Sequence, residues 1–157
     1  MKYMVVYDSV FGNTEKVAME MGKALGGKKQ AEVVKVDVAD YAKLKGVKVL
    51  VVGSPTRAFS PTPATVAFLK GIPANSLKGV KVAAFDTRFP MNEKVPGILK
   101  FLVGIFGYAA KPIADRLVKK GGSLAAEPEG FFVTDSEGPL ADGELKRAAE
   151  WVKGIAG

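Results

Sequence analysis

Short apolar runs of strand length, rich in β-branched residues, recur along the chain with helix-length segments between them. The first four are Tyr3–Tyr7, Val33–Val36, Val47–Val52 and Val80–Phe85. The third and fourth are almost continuously apolar, the pattern of central parallel strands covered on both faces. A fifth run is split: Ser123–Ala126 and Phe131–Val133 flank Glu127-Pro128-Glu129-Gly130, which reads as a turn or bulge.

Between the runs the apolar period becomes helical. Val17, Met21, Ala24 and Leu25 share one face of a helix over Asn13–Leu25, with Glu15 in its first turn and Gly26-Gly27 past its end. Pro63–Leu69 opens with proline at a first helical position and is closed by Lys70-Gly71. The spacing predicts further helix over Gly97–Lys120, kinked near Pro112. It predicts a last helix over Ala141–Ile155, with Leu145, Ala148, Ala149 and Val152 in one stripe, Asp142 as cap, and a turn at Glu137–Leu140 before it. Strands and helices alternating through right-handed crossovers predict an α/β sandwich: a parallel sheet with helices on both faces, in one domain over residues 1–157.

In an open parallel sheet, ligands bind beyond the carboxyl ends of the strands. The loops after the first, third and fourth runs are therefore the candidates. Asp8-Ser9-Val10-Phe11-Gly12-Asn13-Thr14 joins a strand directly to a helix; its glycine permits a tight turn and its side chains bring donors. The helix start adds unbonded amides and a positive dipole end, so the loop suits a phosphate. The alternative, that Ser9 or Asn13 caps the helix and nothing more, stays open. The loop has neither the Gly-Lys-Ser/Thr ending of a triphosphate loop nor the spaced glycines of a dinucleotide fingerprint. The second loop, Gly53 to Pro63, contains Ser54-Pro55-Thr56-Arg57-Ala58-Phe59, and the third is Asp86-Thr87-Arg88-Phe89-Pro90-Met91-Asn92. Each offers a hydroxyl, an arginine and a phenylalanine, which suits a flat, partly polar ring stacked on Phe59 or Phe89.

Composition narrows the chemistry. There is no cysteine and no histidine, which removes thiolate nucleophiles, histidine bases, Ser-His-Asp triads and Cys/His zinc sites together. Chemistry here needs a bound cofactor. Lys+Arg is 23 against Asp+Glu 16, a net charge of +7, yet the lysines lie in ones and twos with no basic run, so no nucleic acid partner is expected. The apolar stretch Phe101–Ala110, bounded by Lys100 and Lys111, is too short for the ~20 residues of a membrane span and reads as buried core. No signal-like segment opens the chain, so a cytoplasmic location is expected.

The loop Ser9-Val10-Phe11-Gly12-Asn13-Thr14 resembles the FMN phosphate loop of the flavodoxin family, and the five-run layout resembles the flavodoxin fold across the chain. The resemblance implies strand order 2-1-3-4-5. It implies that Ser9, Gly12, Asn13 and Thr14 with the amides of Val10 and Phe11 hold the FMN phosphate. Ser54, Pro55, Thr56, Arg57, Ala58 and Phe59, and Asp86, Thr87, Arg88 and Phe89, would flank the isoalloxazine. The fifth run lacks the insertion of long-chain members, which makes this the short-chain type. Three features depart from the family pattern: Phe11 replaces a hydroxyl residue, the only tryptophan is Trp151 in the last helix, and the chain is basic where flavodoxins are acidic. Gly53-Ser54-Pro55-Thr56-Arg57 also resembles the flavodoxin-like quinone reductases related to tryptophan-repressor-binding protein.

Two functions follow as expectations. The first is an electron carrier cycling FMN between its redox states, monomeric or weakly dimeric, with redox partners that present an acidic docking surface. It requires no catalytic side chain. The second is an NAD(P)H-dependent quinone reductase, against which stands the lack of any legible insertion to enclose a second substrate. Arg57 and Arg88 would face either the flavin or a partner.

Overall fold

A computed structural model describes residues 1–90 and 96–157, with the backbone alone at 104–106. Strands β1 (Tyr3–Tyr7), β2 (Ala31–Lys35), β3 (Val49–Pro55) and β4 (Lys81–Arg88) are parallel in the order β2-β1-β3-β4, continued by β5 (Ser123–Leu124). The 2-1-3-4-5 order is thus realised. Beyond β4 the edge is shared by β5 and β6 (Glu129–Phe132): Val82 pairs with Leu124 and Phe85 with Glu129. Ala83 and Ala84 therefore stand opposite residues 125–128, the bulge expected in the split fifth run.

Alternate side chains along the strands divide the core in two. Met4, Val6, Leu50, Val52, Val82 and Ala84 face α2 (Pro63–Gly71) and α4 (Ala110–Lys119). Tyr3, Val5, Tyr7, Val51, Ala83 and Phe85 face α1 (Asn13–Ala24) and α5 (Glu144–Ala156). Trp151 belongs to the second layer, edge-on to Phe85 and Phe131. Gly53 lets this layer close, since a Cβ there would stand 2.0 Å from Phe85 Cζ.

Several boundaries differ from expectation. Ser54 and Pro55, and Asp86 to Arg88, lie in strands rather than loops, because β4 pairs with β3 through Pro55↔Thr87 and with β6 through Arg88↔Phe132. Met91 and Asn92 of the third loop lie outside the described residues. The region 97–120 is two helices, α3 (Gly97–Phe106) and α4. They part at Gly107, at φ 73 and ψ −151, not at Pro112, which occupies the first turn of α4, where a missing N–H costs no bond. Ile98 and Phe101 of α3 are 68% and 62% exposed instead of buried in the core; the Phe106 side chain lies outside the described residues.

Asp142 does not cap α5. The helix follows Gly143 at φ 82, and its own Glu144 accepts the Phe132 amide at 2.7 Å and pairs with Arg147 at 2.7 Å. Arg147 also donates to the Gly130 carbonyl and meets Glu129 at 3.1 Å, so one arginine clasps α5 to β6.

Gly53→Ala should cost about 1–3 kcal/mol by overpacking, read from the urea midpoint of unfolding. Bonds from Arg147 hold the Glu144 carboxyl below its ordinary 4.5. A depressed folded value means that its contribution is complete above pH 4.5 and is lost as pH falls through the folded value. Glu144→Gln should flatten that acid limb when stability is measured against pH.

Candidate functional site

A cavity of about 430 Å³ opens at the carboxyl ends of β1, β3 and β4, a volume suited to a small-molecule ligand. One side is the turn from β1 into α1, where Gly12 holds φ 92 and an added Cβ would meet nothing within 4 Å. The Ser9 hydroxyl accepts the Gly12 amide at 3.1 Å and the Glu15 amide at 3.3 Å, so it does cap this turn. Among the described residues, no protein group accepts from the amides of Val10, Phe11, Asn13 or Thr14. These orphan donors and the positive end of α1 make an anion cradle.

Side chains tie the loops together. The Asp8 carboxylate accepts the Ser9 amide at 2.9 Å and the Thr62 hydroxyl at 2.5 Å, linking the first loop to the start of α2. The hydroxyls of Thr14 and Thr87 lie 2.9 Å apart and share a hydrogen bond across the ends of α1 and β4. Asn13 donates to the Glu137 carbonyl at 3.0 Å, drawing the 136–138 turn against the cradle.

The second wall is a tight reversal in which Arg57 and Ser60 exchange backbone bonds at 2.8 and 2.9 Å. Ala58 and Phe59 carry φ 47 and 68, a conformation that ordinarily selects glycine or asparagine. The Arg57 guanidinium lies over the Phe11 ring at 5.6 Å.

The third wall is set by a buried carboxylate. Asp86, fully buried, takes Arg88 in a fork at 2.6 and 2.8 Å and the Ala110 amide at 2.9 Å. Burial pushes its carboxyl up, against the downward pull of Arg88 and that amide. Arg88 in turn lies over the Tyr108 ring, 3.7 Å from its centroid. Thr56 accepts the Ala109 amide at 3.1 Å, so two residues from neighbouring strand ends cap α4, which has no side-chain cap of its own.

Every residue predicted for the site lines the cavity except Gly12, Ser54 and Asp86. Gly12 shapes the cradle backbone. Ser54 and Asp86 stand behind the walls, Ser54 accepting the Thr62 amide at 3.0 Å. The lining also includes Pro96, Leu99, Val103, Tyr108, Val133 and Ser136, none of which carries a local signal. Ser136 reaches the cavity beside the turn already expected at Glu137–Leu140, which Asn13 holds through the Glu137 carbonyl.

Residues 5–142 match the family model described as flavodoxin. The chain belongs to the flavodoxin family. The fold is similar to a flavodoxin from the domain Archaea, with a TM-score of 0.77 at 22% identity, covering 99% of this chain and 96% of that one. It is similar to flavodoxin 1 from Bacillus cereus, with a TM-score of 0.75 at 17% identity, covering 99% and 97%. A WrbA-like flavodoxin protein from Agrobacterium tumefaciens gives 0.74 at 16%, covering 98% and 94%. No match is found among curated proteins.

Residues 89–109 lie between β4 and α4. Within them α3 turns Leu99 and Val103 to the cavity and leaves Ile98 and Phe101 exposed.

Asp86→Asn should lower the unfolding free energy by about 3–5 kcal/mol, because Arg88 is left without its charge partner. The double variant Asp86→Asn/Arg88→Leu should recover part of that loss in the same denaturation series, since neither charge then remains.

Proposed function

We propose that this chain binds FMN and passes electrons between protein partners. The observation that carries the reading is the cradle of unbonded amides beside an aromatic-walled slot, which suits a phosphate joined to a flat ring. In this reading Gly12 and the amides of Val10, Phe11, Asn13 and Thr14 hold the phosphate, aided by the Thr14 hydroxyl. Phe11 contributes its amide and not a hydroxyl. Phe59, Phe89 and Tyr108 border the ring space, and bound FMN supplies the redox chemistry. Asp86 already neutralises Arg88, so among the described residues lining the cavity Arg57 is the cation left to favour a reduced, anionic flavin. The exposed Ile98 and Phe101 beside Lys100 suit a partner with an apolar centre and acidic groups.

A second reading is favoured by the 89–109 segment. Its Pro96, Leu99 and Val103 give the cavity an apolar wall that a quinone could share with the flavin, making the protein an NAD(P)H-dependent quinone reductase.

Apoprotein titrated with FMN should develop a perturbed flavin spectrum, and Gly12→Val should abolish it by forcing a β-branched residue to positive φ. Thr14→Ala should lose about 1.5–3 kcal/mol of binding; wild-type affinity in both variants refutes the cradle. Unaided NAD(P)H oxidation with a quinone at roughly 1–1,000 per second would select the reductase, and its absence together with transfer to cytochrome c the carrier. Arg57→Gln should move the lower one-electron couple to a more negative potential in spectroelectrochemical titration.

A further inference from the structure

Many of the lysines that are scattered along the sequence are gathered by the fold at one end of the molecule. All strands are parallel, so their amino ends share the end opposite the cavity. The Lys48 amide donates to the Lys2 carbonyl at 2.8 Å, and the Lys81 amide to the Lys48 carbonyl at 3.0 Å. Lys2, Lys48 and Lys81 thus form an exposed row across β1, β3 and β4. None of the three is in an ion pair among the described residues.

The field extends to both sides of this row. At the β2 edge, Lys28, Lys43 and Lys45 line a cleft of about 560 Å³, with Lys43 bound to Glu32 at 3.0 Å. At the α2/α4 side, Lys120 donates its ammonium to the Lys70 carbonyl at 3.1 Å, and the Leu77 amide, next to Lys78, bonds the Lys120 carbonyl at 3.2 Å.

Lysines at helix carboxyl ends, such as Lys23, Lys70 and Lys153, have a stabilising role against the helix dipole. The strand-end row has no such role. Lys81 pairs in register with Val49, one residue on from Lys48, so the three ammonium groups share this end with no carboxylate partner among the described residues to offset their mutual repulsion. Among the described residues, Asp8, Glu15, Asp37, Asp86 and Glu129 lie at the opposite, cavity end, where they offset cations such as Lys16, Arg57, Arg88 and Lys111, so the excess of positive charge falls at the lysine end.

We propose that the lysine end docks on an anionic lipid bilayer, with the cavity facing away from the membrane. The lysines cover a plane on both sides of the sheet, which matches a bilayer surface better than the line of phosphates along a nucleic acid strand. The row has no arginine fork for base edges, and its one ring, Tyr3 beneath Lys2, is buried; base readout and stacking therefore have no footing. A second copy would set lysine against lysine. No residue of the cavity takes part, so the inference stands whether or not flavin binds.

Co-sedimentation of the intact protein with vesicles tests this. Binding is expected to vesicles of phosphatidylcholine mixed with phosphatidylserine, not to phosphatidylcholine alone, and should fall steeply as salt is raised. At roughly fivefold per lysine, the triple variant Lys2→Gln/Lys48→Gln/Lys81→Gln should bind about a hundredfold more weakly, with an unchanged circular-dichroism spectrum confirming its fold. Lys16→Gln/Lys111→Gln/Lys146→Gln, which removes the same charge near the starts of α1, α4 and α5, should bind like wild type. No binding to the anionic vesicles at low salt, equal loss in both triple variants, or tighter binding to duplex DNA at the same salt would each overturn the proposal.

Discussion

The Asp86 carboxylate is buried at the end of β4, where an ionised group is tolerated only with its donors supplied. Those donors come from two places, Arg88 two residues on and the Ala110 amide at the start of α4. Meeting them fixes α4 against the strand ends, and it sets Arg88 over the Tyr108 ring at the cavity wall. Thr56 repeats the arrangement one residue earlier by taking the Ala109 amide. Loops two and three and the start of α4 are therefore one hydrogen-bonded assembly. The position of Tyr108 at the cavity is its consequence.

The remaining walls are held more locally. Ala58 and Phe59 occupy left-handed backbone conformations at the cavity rim, costing roughly 1–3 kcal/mol each. The reciprocal bonds of Arg57 and Ser60, and the cation over Phe11, work against that cost. Opposite them the β1–α1 turn leaves the amides of Val10, Phe11, Asn13 and Thr14 without protein acceptors among the described residues, so the site joins a polar, donor-rich end to an aromatic and apolar one. That division matches a ligand with a charged tail and a flat ring.

Charge separates along the same axis. Parallel strands put every strand start at one end and every strand finish at the other, and helices returning between them bring their carboxyl ends to the first. Lysines that suit helix carboxyl ends collect there, while Asp8, Asp86 and Glu129 collect near the cavity. A net charge of +7 therefore says little about the field at the cavity, where Arg88 is matched by Asp86 and Arg57 remains.

Local period and punctuation sufficed for β1, α1, α2, the bulged edge strand and the three loops that meet at the cavity. Each rests on neighbours within a few residues: alternation, helical spacing, a glycine where the turn needs positive φ. The break at Gly107 was hidden because an apolar stretch continues across it, and the exposure of Phe101 because apolar character alone does not say whether a partner element exists to cover it. Asp142 looked like a cap, yet no side chain caps α5; Glu144 instead accepts the Phe132 amide and pairs with Arg147, joining the helix to β6. Tertiary structure alone decided which donors reach Asp86, where Tyr108 stands, and that Lys2, Lys48 and Lys81 become neighbours. Those outcomes depend on strand register and crossover direction, which join residues far apart in the chain and leave no trace in the spacing of any one segment.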